Sequence, residues 1–348
     1  IEKDIEQLAD IEGIGKKRIA MIKKAWEEQK EIRAIMIFLQ SHGVSSGYSA
    51  KIYKQYGNES IKIVKENPYR LAIDIFGIGF LTADKIAQKL GFAKDSELRA
   101  AAGILHVLHE MTDEGHVYYP YGPLIEKCKE ILDIDREIIV KAIGTVAVDK
   151  QVVIEDLNQN TDDFKENHKA VYLIGYHIAE KNLAARLKTL IQTPQVIRKI
   201  DSEKAIQWVQ EKLSITLAEK QIEAVRCVTG NKVMIITGGP GTGKTTIINA
   251  IIRIFSVIKT KIMLAAPTGR AAKRMMETTG HEAKTIHRLL EYSIRKGGFQ
   301  KNGDSPLDCD LLIIDETSMI DTLLMHHLLK AIPSNATFVL VGDVNQLP

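Results

Sequence analysis

Cysteine is scarce: Cys128, Cys227 and Cys309 are the only three in 348 residues. They are odd in number, far apart and without a C-x-x-C spacing, which argues against a disulfide frame and a zinc site. Three buried thiols in a reducing compartment are the expectation. No apolar run approaches the roughly 20 residues that a membrane-spanning helix needs, and no charged-then-apolar leader opens the chain. A cytoplasmic protein without a membrane partner is therefore expected. Neither sign of charge dominates, since 47 Lys+Arg stand against 44 Asp+Glu for a net +3, too little to identify a nucleic-acid partner by itself. What is present is ordinary: 45% apolar and 26% charged residues exclude disordered and collagen-like classes. The length allows two or three domains of roughly 100 to 200 residues. Residues 1–94 hold 16 Lys+Arg against 12 Asp+Glu and the remainder 31 against 32, so the basic excess sits at the N-terminal end. The chain opens on Ile1 and stops just after the apolar run "TFVLV", which reads as a piece of a longer protein.

Three segments share a layout: "EGIGKKRIAMI" (12–22), "HGVSSGYSAKI" (42–52) and "FGIGFLTADKI" (76–86). Each has a glycine, an aliphatic residue, a small residue, and an isoleucine nine positions after the first glycine. Gly13, Gly43 and Gly77 are 30 and 34 residues apart, a spacing that predicts repeated helical units, each a pair of short amphipathic helices around a tight turn. Residues 95–200 read as a mainly helical module, with helices in "SELRAAAGILHVLHEM", "GPLIEKCKEIL" and "REIIVKAIGTVAV" and paired strands in "KQVVIED" and "KAVYLIG". It is either a winged-helix-like unit or a packing module. A helix is predicted over 202–213. From 233 the pattern changes to short apolar strands, "KVMIIT", "KIMLAA", "DLLIID" and "TFVLV", alternating with helices. Such runs belong to a parallel sheet covered on both faces, with ligands at the carboxyl ends of the strands. The expected divisions are 1–94, 95–200 and 201–348.

The first of those strands is followed by "GGPGTGKTT" and then a helical run. Gly238, Gly243, Lys244 and Thr245 satisfy G-x-x-x-x-G-K-[ST] in a strand, loop and helix context. Glycines let backbone N–H groups crowd round phosphate oxygens at the positive end of the helix. Gly238, Gly239, Pro240, Gly241, Thr242, Gly243, Lys244, Thr245 and Thr246 are thus the candidate nucleotide loop. Lys244 reaches the β and γ phosphates and the Thr245 hydroxyl ligates Mg²⁺. "LLIIDE" releases Asp315 at a strand end to hold the Mg²⁺, with Glu316 beside it to polarise water. A parallel sheet delivers the tip of "TFVLV" to the same edge, where Gln346 of "GDVNQLP" can sense the γ phosphate. Gln221, at the start of a predicted helix, can present its amide to an adenine edge. "APTGRAAKRM" and "TIHRLL" follow strands with the small, hydroxyl and basic residues that grip a sugar-phosphate backbone without reading bases.

"LAEKQIEAV", "GGPGTGKTT", "APTGRAAKRM", "TIHRLL", "IIDETSMID" and "VGDVNQLP" resemble, in order, the Q motif and motifs I, Ia, Ib, II and III of superfamily 1 helicases, and the RecD-like (RecD/TraA) group in particular. The glycine-hairpin repeats resemble the longer bacterial RecD-like proteins with helix-hairpin-helix units, so the likeness covers essentially the whole chain. The resemblance implies an α/β RecA-like P-loop lobe, with a parallel sheet and helices on both faces, preceded by a mainly α region with helix-hairpin-helix repeats. It implies an ATP- and Mg²⁺-dependent motor of DNA repair and recombination that moves 5′ to 3′ on single-stranded or forked DNA and unwinds duplex. Gln221 would then recognise adenine, Lys244, Glu316 and Gln346 would serve catalysis, and Thr245 and Asp315 would hold the metal. Pro267, Thr268, Gly269, Arg270, Thr285 and His287 would line the DNA track, His287 being otherwise a plain helix-start residue.

The family pattern also has a second lobe with arginines and motifs IV to VI, for which 1–348 has no counterpart, so weak nucleotide binding and slow turnover are expected of these residues alone. The glycine turns offer backbone N–H groups to a DNA phosphate. Gly13 and Gly15 with Lys16 and Lys17 are the best candidates, Gly77 and Gly79 the next, against a scaffold role for all three repeats. Residues 291–306 interrupt the lobe as either a strand-separating pin or a surface insertion. The competing function is a DNA-binding repair module that uses ATP only as a switch. A small-metabolite P-loop kinase leaves "PTGRAA", "GDVNQLP" and the repeats without a purpose.

Overall fold

Two glycine-led turns organise the first part of the molecule. The computed structural model describes residues 16–160, 168–194, 197 and 200–343. The first expected turn, with Gly13 and Gly15, lies outside the described residues, as does the Lys16 side chain; Lys17 is exposed. Helix α1 (Lys16–Ser41) runs through the turn 42–45 into α2 (Ser46–Tyr56). Helices α3 (Ser60–Glu66) and α4 (Arg70–Asp74) lead to the turn 75–79 and α5 (Phe80–Lys89). Gly43 and Gly77 take φ of 82° and 91°, which side chains disfavour. Ser45 stands where a second glycine is expected and caps α2 by accepting the Tyr48 N–H at 3.3 Å, so its loss of glycine is a gain of a helix cap. The equivalent isoleucines Ile52 and Ile86 are buried in one core with Val44, Ile78, Ile35 and Leu71. At 26 residues, α1 is longer than the short helix expected there.

Helices α6 (Glu97–Asp113), α7 (Tyr121–Leu132) and α8 (Arg136–Val148) pack with a three-stranded antiparallel sheet of β1 (Tyr119–Pro120), β2 (Val152–Asp156) and β3 (Lys169–Leu173), with β3 in the middle. This is the layout that a winged-helix-like unit requires. The two residues of β1 are too few to show a period and carry no strand signal of their own. One buried polar network ties this module to the turns. Arg99 Nε donates to Asp84 Oδ1 at 2.9 Å and its Nη1 to the carbonyls of Lys94 and Leu132 at 2.9 and 2.7 Å. The Tyr69 hydroxyl donates to the same carboxylate at 2.8 Å, and burial together with that bond pushes the Tyr69 pKa up.

The chain divides into two compact units, up to 174 and from 175. The break precedes residue 200 because α9 (Ile174–Gln192) joins the second core: Leu190 is fully buried there, and Arg186 donates to the carbonyls of Leu329 and Ile332 at 3.2 and 2.6 Å. In the second unit α10 (Ser202–Leu213) and α11 (Glu219–Gly230) precede β4 (Val233–Thr237), α12 (Lys244–Val257), β5 (Ile262–Ala266) and α13 (Gly269–Thr279). Then come β6 (Ala283–Thr285), α14 (Ile286–Leu289), a hairpin of β7 (Tyr292–Ser293) and β8 (Gly298–Phe299), β9 (Leu311–Ile314), α15 (Thr322–Ala331) and β10 (Thr337–Gly342). The main sheet is parallel throughout, in the order β4-β10-β9-β5-β6. Its side chains alternate between two cores. Leu311, Ile313, Val339 and Val341 meet α10, α11 and α12, while Leu312, Ile314, Phe338 and Leu340 meet α9, α14 and α15, as a sheet covered on both faces demands. The four strands read from the sequence are present; β6 is a fifth, whose "AKT" is too short and polar to announce itself.

Cys128 and Cys309 are buried, and burial pushes both thiols up to about 12. Cys227, on α11, is half-buried rather than buried. Among the described residues no helix is long and apolar enough to cross a membrane. Breaking a buried ion pair by removing one partner costs about 3 to 5 kcal/mol. Arg99→Met should therefore destabilise the first unit by about that amount in urea titrations, and an effect within error would show that the Arg99–Asp84 pair is not holding the module to the turns.

Candidate nucleotide and DNA site

The register of the parallel strands sets the site. Gly342 pairs with Thr237, Leu340 with Ile314, and Ala265 with Ile314. The ends of β4, β10, β9 and β5 therefore lie level, and the chain leaves each of them on the same rim. From that rim come the loop 238–243, Asp343, Asp315 with Glu316, and Pro267 to Arg270. Asp343 is buried, and Gln346 lies outside the described residues.

The nucleotide loop closes on itself. Lys244 Nζ donates to the carbonyls of Gly238 and Gly239 at 2.5 and 2.9 Å, and the Thr242 hydroxyl donates to Gly239 O at 2.9 Å. Gly241 and Gly243 have φ of 76° and 81°. Gly243 is doubly constrained, because a Cβ there would also strike Gln221 Nε2. Gln221 is tied at both ends: its Oε1 accepts the Ala218 N–H at 3.0 Å, and its Nε2 donates to Thr242 O at 3.1 Å. The expected adenine reader is thus also a brace between the start of α11 and the nucleotide loop. Thr245 and Thr246 begin α12 and are half-buried.

Burial pushes the Asp315 carboxyl above its ordinary range, helped by the neighbouring Glu316 charge and opposed by the Glu316 N–H, Lys244 and Arg274. Arg274, on α13, is a cation facing this acid that the sequence reading passed over. Its signal was the helical i, i+4 spacing from Arg270. The Glu316 N–H donates to Asp315 Oδ1 at 2.9 Å, and Glu316 itself is left-handed at φ 53°, ψ 44°, a conformation that costs a non-glycine residue energy and recurs at functional sites. A carboxylate and a hydroxyl are hard oxygen donors, and Mg²⁺ characteristically takes one or two carboxylates and fills its remaining positions with phosphate oxygens and water. Among the described residues no group of three or more His, Cys, Asp or Glu is placed to hold a metal.

Gly342 joins the parts. Its carbonyl accepts the Gly238 N–H at 3.3 Å. The Thr317 hydroxyl donates to Val341 O at 3.1 Å, and a Cβ on Gly342 would stand 2.5 Å from Thr317 Oγ1 and 3.4 Å from Ser318 N. The absent side chain lets the turn after Glu316 pack against the end of β10.

Among the expected DNA residues, Gly269 and Arg270 are exposed and Pro267 and Thr268 half-buried. Thr268 caps α13 by accepting the Ala271 N–H at 3.2 Å, and Thr285 caps α14 by accepting that of Arg288 at 3.2 Å. Exposed His287 stacks edge-on against Tyr292 at 5.8 Å and lies 5.5 Å from Phe299. In the first unit, Lys51 Nζ donates to Phe76 O at 3.1 Å beside Gly77, and Lys89 lies over Gly43, while Phe76 is 97% exposed.

Comparison with known proteins agrees with both units. Residues 221–348 match the model of an AAA domain, and residues 28–118 match that of the ATP-dependent RecD2 DNA helicase HHH domain. Both matches point to the RecD-like helicases, which the chain resembles along its whole length. It is 32% identical over 356 aligned positions to an ATP-dependent RecD2 DNA helicase of Deinococcus radiodurans, covering all of this chain and 48% of that protein. The RecBCD enzyme subunit RecD of Buchnera aphidicola from Schizaphis graminum is 35% identical over 200 residues, 51% of this chain and 32% of its own. That of Haemophilus influenzae is 32% identical over 169 residues, 40% and 26% respectively. This RecD-like chain thus spans about half or less of the length of the curated relatives it matches. The matched hairpin domain takes in the turns at Gly43 and Gly77 and starts after "GIGKKR".

Two outcomes follow. Because the folded state holds the Asp315 proton more tightly than the unfolded chain, stability falls as pH rises from the ordinary carboxylate range through the raised value. Asp315→Asn should therefore raise the melting temperature at neutral pH, with the gain vanishing below pH about 3.8; a gain that persists at acid pH contradicts the buried charge. Gly342→Ala should cost about 1 to 3 kcal/mol by overpacking, measured by thermal melting. The loss should be partly recovered in Gly342→Ala/Thr317→Ala, and strict additivity would remove the proposed contact.

Proposed function

We propose that this chain carries the nucleotide-binding lobe of an ATP-driven DNA motor that translocates 5′ to 3′ on single-stranded DNA and unwinds forked duplex in repair and recombination. The observation that carries the proposal is the shared rim: the phosphate loop, the buried acid and the Thr268–Arg270 helix start leave β4, β9 and β5 of one parallel sheet at one edge. The acid's strand, β9, adjoins β5, which carries that helix start, at about 4.8 Å per strand, and the phosphate loop lies three strand spacings from it along the same rim.

Each residue has a task in this account. Lys244 leaves the carbonyls of Gly238 and Gly239 and transfers its charge to the β and γ phosphates, while the loop N–H groups and the α12 N-terminus bind the remaining oxygens. Gln221 holds the loop against α11 and offers its second amide hydrogen to the adenine. Asp315 and Thr245 are the residues that would hold Mg²⁺, which neutralises phosphate charge when bound. Glu316 orients and deprotonates the attacking water. Gln346 relays loss of the γ phosphate to the strand. Arg270, Thr285 and His287, with Pro267 and Gly269, contact the DNA backbone, and the 291–306 hairpin stands at the fork as a pin. The turns at Gly43 and Gly77, with Lys89 and Lys51 beside them, are placed to meet phosphates better than a pure scaffold needs. A role for Gly13, Gly15, Lys16 and Lys17 remains part of the same proposal. An arginine supplied in trans is worth roughly 10³ to 10⁵ in rate in related phosphate chemistry, so residues 1–348 by themselves should turn ATP over slowly.

Lys244→Ala should weaken Mg–ATP binding, followed by fluorescent-nucleotide titration, about 10- to 100-fold, the equivalent of a charge-assisted hydrogen bond of roughly 1.5 to 3 kcal/mol. Single-strand affinity and its salt slope should not change. In the complete polypeptide the same substitution should abolish displacement from forks with a 5′ overhang. Fork binding and ATP hydrolysis by the unsubstituted protein without any strand separation would favour an ATP switch over a motor.

A further inference from the structure

Residues 291–306 have a fixed root and a free tip. The tip carries Ile294, 85% exposed, followed by exposed Arg295 and Lys296. At the root, Leu290 O accepts the N–H groups of Gln300 and Lys301, both at 3.1 Å. Phe299 packs against the core that contains Ile286, Leu290, Leu324 and Leu328. Its ring lies 5.0 Å from Tyr292 and 4.7 Å from His327 of α15. The ring of His327 is therefore the aromatic contact between α15 and the hairpin root.

The other end of α15 belongs to the hydrolysis segment. Asp315 and Glu316 run directly into the turn Thr317–Met319, and Asp321 then caps α15 by accepting the Leu324 N–H at 2.7 Å. The Ile320 N–H donates to Thr317 O at 3.1 Å, so no slack residue separates the acid from the helix. From Asp321 to His327 is six residues, about 9 Å along a stiff helix. Glu316 is held left-handed, a conformation that costs a non-glycine residue energy. A displacement at Asp315 and Glu316 thus passes through a rigid element to one ring contact.

We propose that Phe299 is a positioning residue: through its tilted ring contact with His327 it couples the Asp315–Glu316 segment to the hairpin, so that nucleotide occupancy sets the position of the Ile294 tip. This rests on the nucleotide-driven reading above and adds the element that carries the signal to the duplex. An ordinary core phenylalanine would hold the root in place but would respond equally well to any apolar neighbour. A coupling contact requires a ring on α15.

The test attaches an environment-sensitive fluorophore to Ile294→Cys in a Cys227→Ser background, Cys128 and Cys309 being buried, and titrates Mg and a non-hydrolysable ATP analogue. The label should shift on nucleotide binding in this parent and in His327→Phe, which keeps the ring. The shift should be lost in His327→Leu and Phe299→Leu, with nucleotide affinity unchanged within about twofold and melting checked for each. If Phe299→Leu fails to fold, the two His327 variants decide the matter. A shift that survives in His327→Leu overturns the coupling, as does a parent that binds nucleotide with a silent label; both leave the motor reading standing. A parent that binds no nucleotide removes the motor reading, and the coupling falls with it.

Discussion

A side chain is missing where the sheet of the second unit most needs room. Gly342 closes β10, and the position its Cβ would occupy is 2.5 Å from the Thr317 hydroxyl, while its carbonyl binds the first N–H of the nucleotide loop at 3.3 Å. The candidate nucleotide loop and the turn that follows Asp315 and Glu316 therefore meet across one residue. Parallel pairing then brings Asp315 and the Thr268–Arg270 helix start to the same level, since β9 and β5 are locked in register with β10. Register errors in such a sheet would turn every alternate side chain into the wrong core, so the two apolar faces are what hold the polar rim in line.

The rim is electrostatically self-contained. Asp315 sits in a place that disfavours its charge, and Lys244 and Arg274 partly compensate. Lys244 meanwhile satisfies itself on the loop's own carbonyls, and Gln221 braces the loop from α11.

The first unit follows a different logic. Its turns need glycine for φ at Gly43 and Gly77 and are held by apolar residues of equivalent position, Ile52 with Ile86 and Val44 with Ile78. The buried Arg99–Asp84 pair, with Tyr69 on the same carboxylate, fixes the helical module beside them. Such pairs contribute little net stability but are costly to break, which makes them good at specifying one arrangement.

The sequence alone determined what depends on local order: the nucleotide loop, the strand-end acids, the four longer apolar strands and the recurring glycine turns. Each is written in neighbouring residues, as apolar runs followed by glycine or acid, and local steric rules are enough to read them. The motif order likewise made the RecD-like family legible. Only the tertiary structure decided that Gln221 braces the loop, that Arg274 faces Asp315, that Ser45 replaces a turn glycine as a helix cap, that Cys227 stays half-exposed, and that α9 belongs to the second core. Those depend on partners as far as 148 residues away, as Arg186 and Ser334 are, or on which side of a helix packs. A single stretch of chain carries no record of the partner that will meet it, because that choice is made by the simultaneous burial of many apolar side chains.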